Sequence, residues 1–195
     1  QNGIGNVQIL SPQRKKGTVC ANRLNSEIRD LVNPPRAGRA EIKCGGMTYR
    51  VGDRVIQTRN QEEVANGEVG VITAIAGDGT NDPVIEITLL DGRVLNYSAD
   101  MLEDVDLSYC ISIHKSQGAE FPVVLIPILK EHYIMLRRNL LYTAISRAKS
   151  KVILIGQRQA IYMAIHKHDV DKRNTALADR ITVYYDREHK GQRVE

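Results

Sequence analysis

Ile113-His114-Lys115-Ser116-Gln117-Gly118-Ala119-Glu120-Phe121 and, further along, Tyr142-Thr143-Ala144-Ile145-Ser146-Arg147-Ala148-Lys149 are the stretches from which the fold can be read. Each follows an apolar segment and ends in small, polar or cationic residues, the kind of tip with which an α/β sheet meets a phosphate-rich ligand. Between them, residues 121–129 form an almost unbroken apolar run, as expected of a strand covered on both faces. Residues 135–149 carry Leu136, Leu140, Ala144 and Ala148 at steps of four and read as a helix. Residues 151–156 read as a further buried strand and 159–166 as a further helix. Strands alternating with helices imply a parallel sheet with right-handed crossovers.

Upstream, residues 7–10 are a short β run closed by Ser11-Pro12. Over 20–32, Leu24, Ile28 and Leu31 give a helix one apolar face before Asn33-Pro34-Pro35 stops it. The partner strand of this half βαβ unit is deferred, because the pattern then changes. Residues 53–58, 68–75, 84–90 and 93–97 are short β runs separated by Asn66-Gly67, Gly77-Asp78-Gly79 and Asp91-Gly92. Asp91-Gly92 is a hairpin signal of the mirror-type turn, which needs positive φ. Short antiparallel strands this dense predict a small SH3-like β-barrel inserted in the α/β domain. Alternation resumes over 107–113. The expected fold class is α/β, with 1–46 and 106–170 forming a parallel sheet with flanking helices and 47–105 the barrel. A charged tail follows over 171–195, with a short element around 176–185.

Composition narrows the function classes. The 195 residues are 42% hydrophobic, enough to bury a core. Lys and Arg number 27 against 23 Asp and Glu, a net charge of +4 that permits a polyanionic partner without demanding one. Cys20, Cys44 and Cys110 have no CxxC partner and no His at ligand spacing, so they read as reduced thiols of a cytoplasmic protein, and no metal site is expected. No apolar run approaches the ~18 residues of a membrane span, and no membrane association is expected. A paired-carboxylate, Ser-His-Asp or Cys-His arrangement of a self-contained hydrolase is absent. The chain opens without methionine, almost directly into a strand, and is expected to be a piece of a longer protein.

The two opening stretches resemble motifs V and VI of superfamily 1 helicases, most closely those of the RecD-type branch to which the exodeoxyribonuclease V alpha subunit belongs. Ser146 stands where Thr is commoner in that family. Ile9-Leu10-Ser11-Pro12-Gln13-Arg14 resembles motif IV. Gln57-Thr58-Arg59-Asn60 with Asn66-Gly67-Glu68-Val69-Gly70 resembles the RecD-branch segment at the mouth of the inserted barrel. The resemblance covers residues 7–157 and implies a RecA-like second motor domain. It implies that Arg147 is an arginine finger stabilising charge on a transferring phosphoryl group. It implies nucleotide contacts from Gln117, Gly118, Glu120 and Arg14, with Gly118 allowing close backbone approach and Glu120 suited to a ribose hydroxyl. Ser11, Ser112, His114, Lys115, Asn60 and Asn66 would meet the DNA strand. Ser11-Pro12 as a strand-end turn and Asn66-Gly67 as a tight turn are the structural alternatives.

No GxxxxGK[ST] occurs in the chain, nor a metal-binding Asp-Glu pair at the end of an apolar strand. The expectation is a C-terminal motor half that cannot hydrolyse ATP alone, the phosphate loop and the Mg²⁺ ligands lying on an absent N-terminal motor domain. Family resemblance implies an ATP-dependent helicase of DNA recombination and repair, moving 5′ to 3′ on single-stranded DNA, with that N-terminal domain and other complex subunits as partners. With Tyr49 and Tyr97 as its aromatics, the barrel offers few stacking platforms, so grip through the phosphate backbone is expected. A conjugative relaxase's helicase part, or a binding module with a degenerate motor, are the competing readings.

Overall fold

The computed structural model describes residues 6–77, 83–167 and 180–185. In chain order the regular elements are β1 (Val7–Ser11), α1 (Ala21–Val32), β2 (Glu41–Cys44), β3 (Met47–Arg50), β4 (Arg54–Gln57), β5 (Val69–Ala76), β6 (Val84–Leu89), β7 (Val94–Tyr97), β8 (Val105–Leu107), β9 (Cys110–Ser112), β10 (Phe121–Ile128), α2 (Arg138–Ile145), β11 (Ala148–Gly156) and α3 (Arg158–His166). Strands β11-β10-β1-β9 lie side by side in that order, every pairing parallel. The antiparallel sheet β7-β6-β5-β4-β8 and the β2–β3 hairpin form the SH3-like insertion. Each part has its own core. Leu10, Ile111, Val124, Ile126 and Ile128 fill the first against Leu136, Ala144, Ala160 and Ala164. Tyr49, Val55, Ile72, Ile85, Ile87 and Leu102 fill the second.

Several expected elements are redrawn. Helix α2 spans only Arg138–Ile145, because Arg137 is extended and Ser146 closes the helix; Ala148 already belongs to β11. The four-residue period ran on because Leu136, before the helix, and Ala148, after it, both pack on the same core. Strand β11 is an edge strand with a largely exposed face, Ile155 being 52% accessible, and not a buried one. The 107–113 alternation divides between β8 in the barrel and β9 in the parallel sheet. The β2–β3 hairpin, unforeseen although Glu41-Ile42-Lys43-Cys44 alternates polar and apolar, pairs Cys44 with Met47 across Gly45-Gly46. A boundary at 46/47 would cut that hairpin at its turn, and one at 105/106 would cut β8. The Asp91-Gly92 turn is a three-residue loop closed by Leu89 and Arg93, with only Gly92 at positive φ (+92°) and Asp91 Oδ1 accepting from Arg93 N. The turn at 77–79 and most of the 176–185 element lie outside the described residues, of which 180–185 are helical.

Buried polar side chains join barrel to sheet. In α1 the expected apolar Leu31 is 81% exposed, while Asn25 is buried in the seam. Its amide donates to Leu107 O (3.0 Å) and Cys110 O (2.8 Å), and its carbonyl accepts from Cys110 N (2.7 Å), saturating the link between β8 and β9. Gln8, fully buried on β1, donates to Ser108 O at 3.1 Å and accepts from Arg54 Nη2 at 3.0 Å, while Arg54 Nη1 reaches Val7 O. Burial pulls the Arg54 guanidinium below its ordinary value. Asp53, also fully buried, accepts from Asn33 Nδ2, Tyr109 OH and Arg50 N, which ties the end of α1 to the barrel.

Candidate functional site

The register of the parallel sheet separates the candidate residues into two groups. Ser112 is level with Ser11, Ile9 with Leu125, and Val7 with Val123. Phe121 therefore begins β10 about 20 Å along the sheet from the end of β9, at ~3.3 Å per residue. Residues 113–120 are the strap between these two ends, so the chain touches the C-terminal rim of β1 and β9 and then the N-terminal rim of β10 and β11.

At the N-terminal rim the strap closes a turn over Ser116–Ala119, Ala119 N donating to Ser116 O at 3.1 Å. Gln117 has φ −62° and ψ 130°, and Gly118 has φ +88°, the type II geometry that favours glycine at its third position. Arg147, half-buried between α2 and β11, reaches across to this turn. Its Nη1 donates to Ala119 O at 3.1 Å, its Nε to Thr143 O at 3.3 Å and its Nη2 to Ser146 Oγ at 3.1 Å. Ser146 Oγ in turn donates to Thr143 O at 2.9 Å, fixing the acceptor's orientation. Of the five N–H groups of a guanidinium, these bonds use three. Glu120 and Lys149 pair at 3.4 Å on the surface beside them. Arg147, Gly118 and Glu120 thus share one rim, with Gln117 exposed in the same turn. Sequence reasoning did not identify Lys149, Ser146 or the Ala119 carbonyl; only the Phe121–Ala148 pairing of β10 and β11 brings them together.

At the C-terminal rim, Ser112 Oγ accepts from Lys115 N at 3.3 Å and starts the 3₁₀ turn His114–Ser116, on which His114 is exposed. Lys115 Nζ lies 3.6 Å from Asp106, and Arg14 Nη2 binds the same carboxylate at 2.8 Å. Burial pulls the Lys115 ammonium down, partly opposed by Asp106. Arg14, expected on the nucleotide, therefore belongs with Lys115. Ser11, expected on the DNA, is fully buried, its hydroxyl held between Gln13 O (3.0 Å) and Val19 O (2.9 Å), so that it shapes the loop and is not presented at the surface. That loop is pinned by Glu131, whose carboxylate accepts from Thr18 Oγ and from Thr18 N and Val19 N. Asn60 Oδ1 accepts from Asn66 N at 2.7 Å, and Gly67 has φ +98°, so these asparagines close an exposed turn at the mouth of the barrel. Among the described residues no group of three or more His, Cys, Asp or Glu could hold a metal, and no helix is long and apolar enough to cross a membrane.

Comparison with known proteins matches residues 107–155 to the UvrD-like helicase C-terminal domain and residues 24–87 to the ATP-dependent RecD-like DNA helicase SH3 domain. The chain is 33% identical over 185 residues to the ATP-dependent RecD2 DNA helicase of Deinococcus radiodurans, covering 93% of this chain and 24% of that protein. It is 30% identical over 136 residues to the RecBCD enzyme subunit RecD of Mycolicibacterium smegmatis, covering 69% of this chain and 23% of that protein. The chain thus spans about a quarter of the length of these relatives. In fold it resembles the Pif1 helicase from Candida albicans, with TM-score 0.57, 14% identity and 98% of this chain and 51% of that chain covered. Bacteroides Pif1 bound to ssDNA gives TM-score 0.54 at 15% identity, covering 95% of this chain and 46% of that one.

Proposed function

The chain belongs to the RecD-like superfamily 1 DNA helicases, as their C-terminal domain with its SH3 insert, and we propose that it is the second motor half of an ATP-driven translocase on single-stranded DNA. In this reading the N-terminal rim of β10 and β11 faces ATP and Mg²⁺ held by a first motor domain. Arg147 directs its two remaining N–H groups at the γ-phosphate. Glu120 and the Gly118 turn meet the sugar and phosphates, with Gln117 beside them. At the opposite rim, Ser112, His114 and Lys115 grip the strand, joined by Arg14 and by the Asn60–Asn66 turn. Lacking a GxxxxGK[ST] cradle, this half is inactive in hydrolysis alone. Recombination or repair complexes that contain a RecD subunit are the expected setting, with 5′ to 3′ movement.

One observation carries the reading: Arg147 is clamped to the Ala119 carbonyl, so finger and glycine turn form a single unit with donors to spare. ATP satisfies the chemistry of that unit, since a guanidinium fork, a carboxylate and a glycine turn complement phosphates and a ribose. Magnesium would supply charge neutralisation there, through ligands outside this half. In the intact helicase, Arg147→Ala should lower DNA-stimulated kcat by roughly 10³-fold with single-strand affinity nearly unchanged. Turnover within a few-fold of the unmodified enzyme would refute the finger.

A further inference from the structure

Between α1, the β2–β3 hairpin and the link from β8 to β9 lies a cleft of ≈ 330 Å³ that the expected contact set does not explain. Its rim carries Arg14, Arg29 and Lys115, and its floor is apolar, from Ile56 and Ile111. Asp106 is the carboxylate among its lining residues. Arg29 is anchored by Nη1 on Thr48 O of the hairpin at 2.6 Å, and its buried Nε has no hydrogen-bond partner, the nearest carboxylate, Asp30, lying 3.7 Å away. Arg14 and Lys115, like charges from different loops, are held together by the one carboxylate between them. Three cations thus face one lining carboxylate, and with Asp30 beside Arg29 counted a positive charge still remains in excess.

We propose that this cleft is a seat for a backbone phosphate of the nucleic-acid strand, and that Asp106 occupies it as an internal counter-ion which the phosphate displaces. The inference rests on the strand-binding reading above and adds Arg29, the hairpin and Asp106 to it. A phosphate oxygen presents to Arg14 and Lys115 the same acceptor chemistry as a carboxylate, with an additional oxygen for Arg29. Asp106 thereby lowers affinity for the strand while keeping two cations from separating when the strand leaves. Release during stepping is easier because the cations return to a resident partner.

The test is a fluorescence-anisotropy titration of a labelled oligothymidylate with the intact protein at several salt concentrations. Asp106→Asn, an isosteric change, should tighten binding roughly three- to tenfold at low salt. It should leave the log–log salt dependence nearly unchanged, because the same phosphate is seated in both proteins, whereas losing that contact would flatten it by about 0.7. Arg14→Gln and Arg29→Gln should each weaken binding several-fold, and Arg14→Gln should abolish the gain in the Asp106→Asn background. Glu86→Gln, on β6 of the barrel where the carboxylate accepts from Thr73 Oγ1, should change affinity less than twofold. Melting curves establish that each variant is folded. Normal strand binding with no gain from Asp106→Asn, or an equal gain from Glu86→Gln, overturns this inference and leaves the helicase reading intact. Pyrophosphate binding that Arg29→Gln abolishes, with strand affinity unchanged in both Arg14→Gln and Arg29→Gln, would make the cleft a free-phosphate site and also overturns it. Failure of the unmodified protein to bind the strand would overturn both.

Discussion

Arg147 and Arg54 each hold two segments together through oxygen acceptors, yet their surroundings differ in kind. Arg54 is buried where β4 meets β1, bound to Gln8 and to a main-chain carbonyl in a network that continues to Ser108 and, through neighbouring Asp53, to Asn33 and Tyr109. Arg147 sits at a rim with a glycine turn, a surface ion pair and N–H groups that find no acceptor among the described residues. A buried cation ringed by acceptors is committed to structure, because removing either partner strands the other in a medium that cannot solvate it. A half-exposed cation held by only part of its fork is oriented and still able to bind. On the proposed reading, Arg54 is joinery and Arg147 is available for chemistry.

Crossed measurements sharpen or break this contrast. Arg147→Ala, with its ~10³-fold loss of turnover, should leave the urea midpoint of the protein almost unmoved; a large destabilisation would make Arg147 joinery too. Arg54→Met should do the reverse, lowering stability by about 3 kcal/mol as Gln8 Oε1 and Val7 O lose their donor. Turnover per folded molecule should stay within a few-fold. Gly118→Ala meets no atom within 4 Å, so its cost is backbone strain alone, about 1 kcal/mol. Because that turn carries the acceptor for Arg147, kcat should fall several-fold, and an unchanged kcat would detach the turn from the finger. The smallest effect concerns His132, fully buried with its Nε2 unbonded, 3.6 Å from Glu131. Burial holds this imidazole below its ordinary value, so the unfolded chain takes up the proton first as pH falls. Its contribution is complete above about pH 6.5 and shrinks below it. Stability should drop by under about 1 kcal/mol between pH 7 and 6, and His132→Gln should flatten that slope.

Much of the fold was legible because the signals were local: the apolar run of β10, the period of α1, and the Asn66-Gly67 and Asp91-Gly92 turns that flank the β5–β6 pair. The short hairpin β2–β3 was passed over: Glu41–Cys44 alternates and Gly45-Gly46 marks the turn, but each strand is only 4 residues long. Asn25 was hidden in a helical pattern that pointed to Leu31, because its worth lies in three main-chain groups far away in sequence. Within the candidate site, Arg147, Gly118 and Glu120 were legible as one cluster. Arg14 was grouped with Gly118 and Glu120 but lies with Lys115 on Asp106, and Asp106 and Arg29 went unnoticed. Their significance depends on which strand ends share a level, and that is a property of register, not of neighbours in the chain. Ser11 illustrates the opposite error: a hydroxyl at a strand tip looks available, but the loop behind it uses both its donor and its acceptor capacity.

The 113–120 strap is fastened at three points. Ile113 is buried at one end, the Ser116 hydroxyl is tied back to Ile113 O at 2.7 Å in the middle, and the far end is pinned where Phe121 N meets Arg147 O. Its length is taken up by two turns, the one that bears His114 and the one that bears Gly118. If these fastenings couple the two rims, an inserted residue between them would loosen one from the other. An ATP-consuming protein lengthened there should burn fuel without advancing.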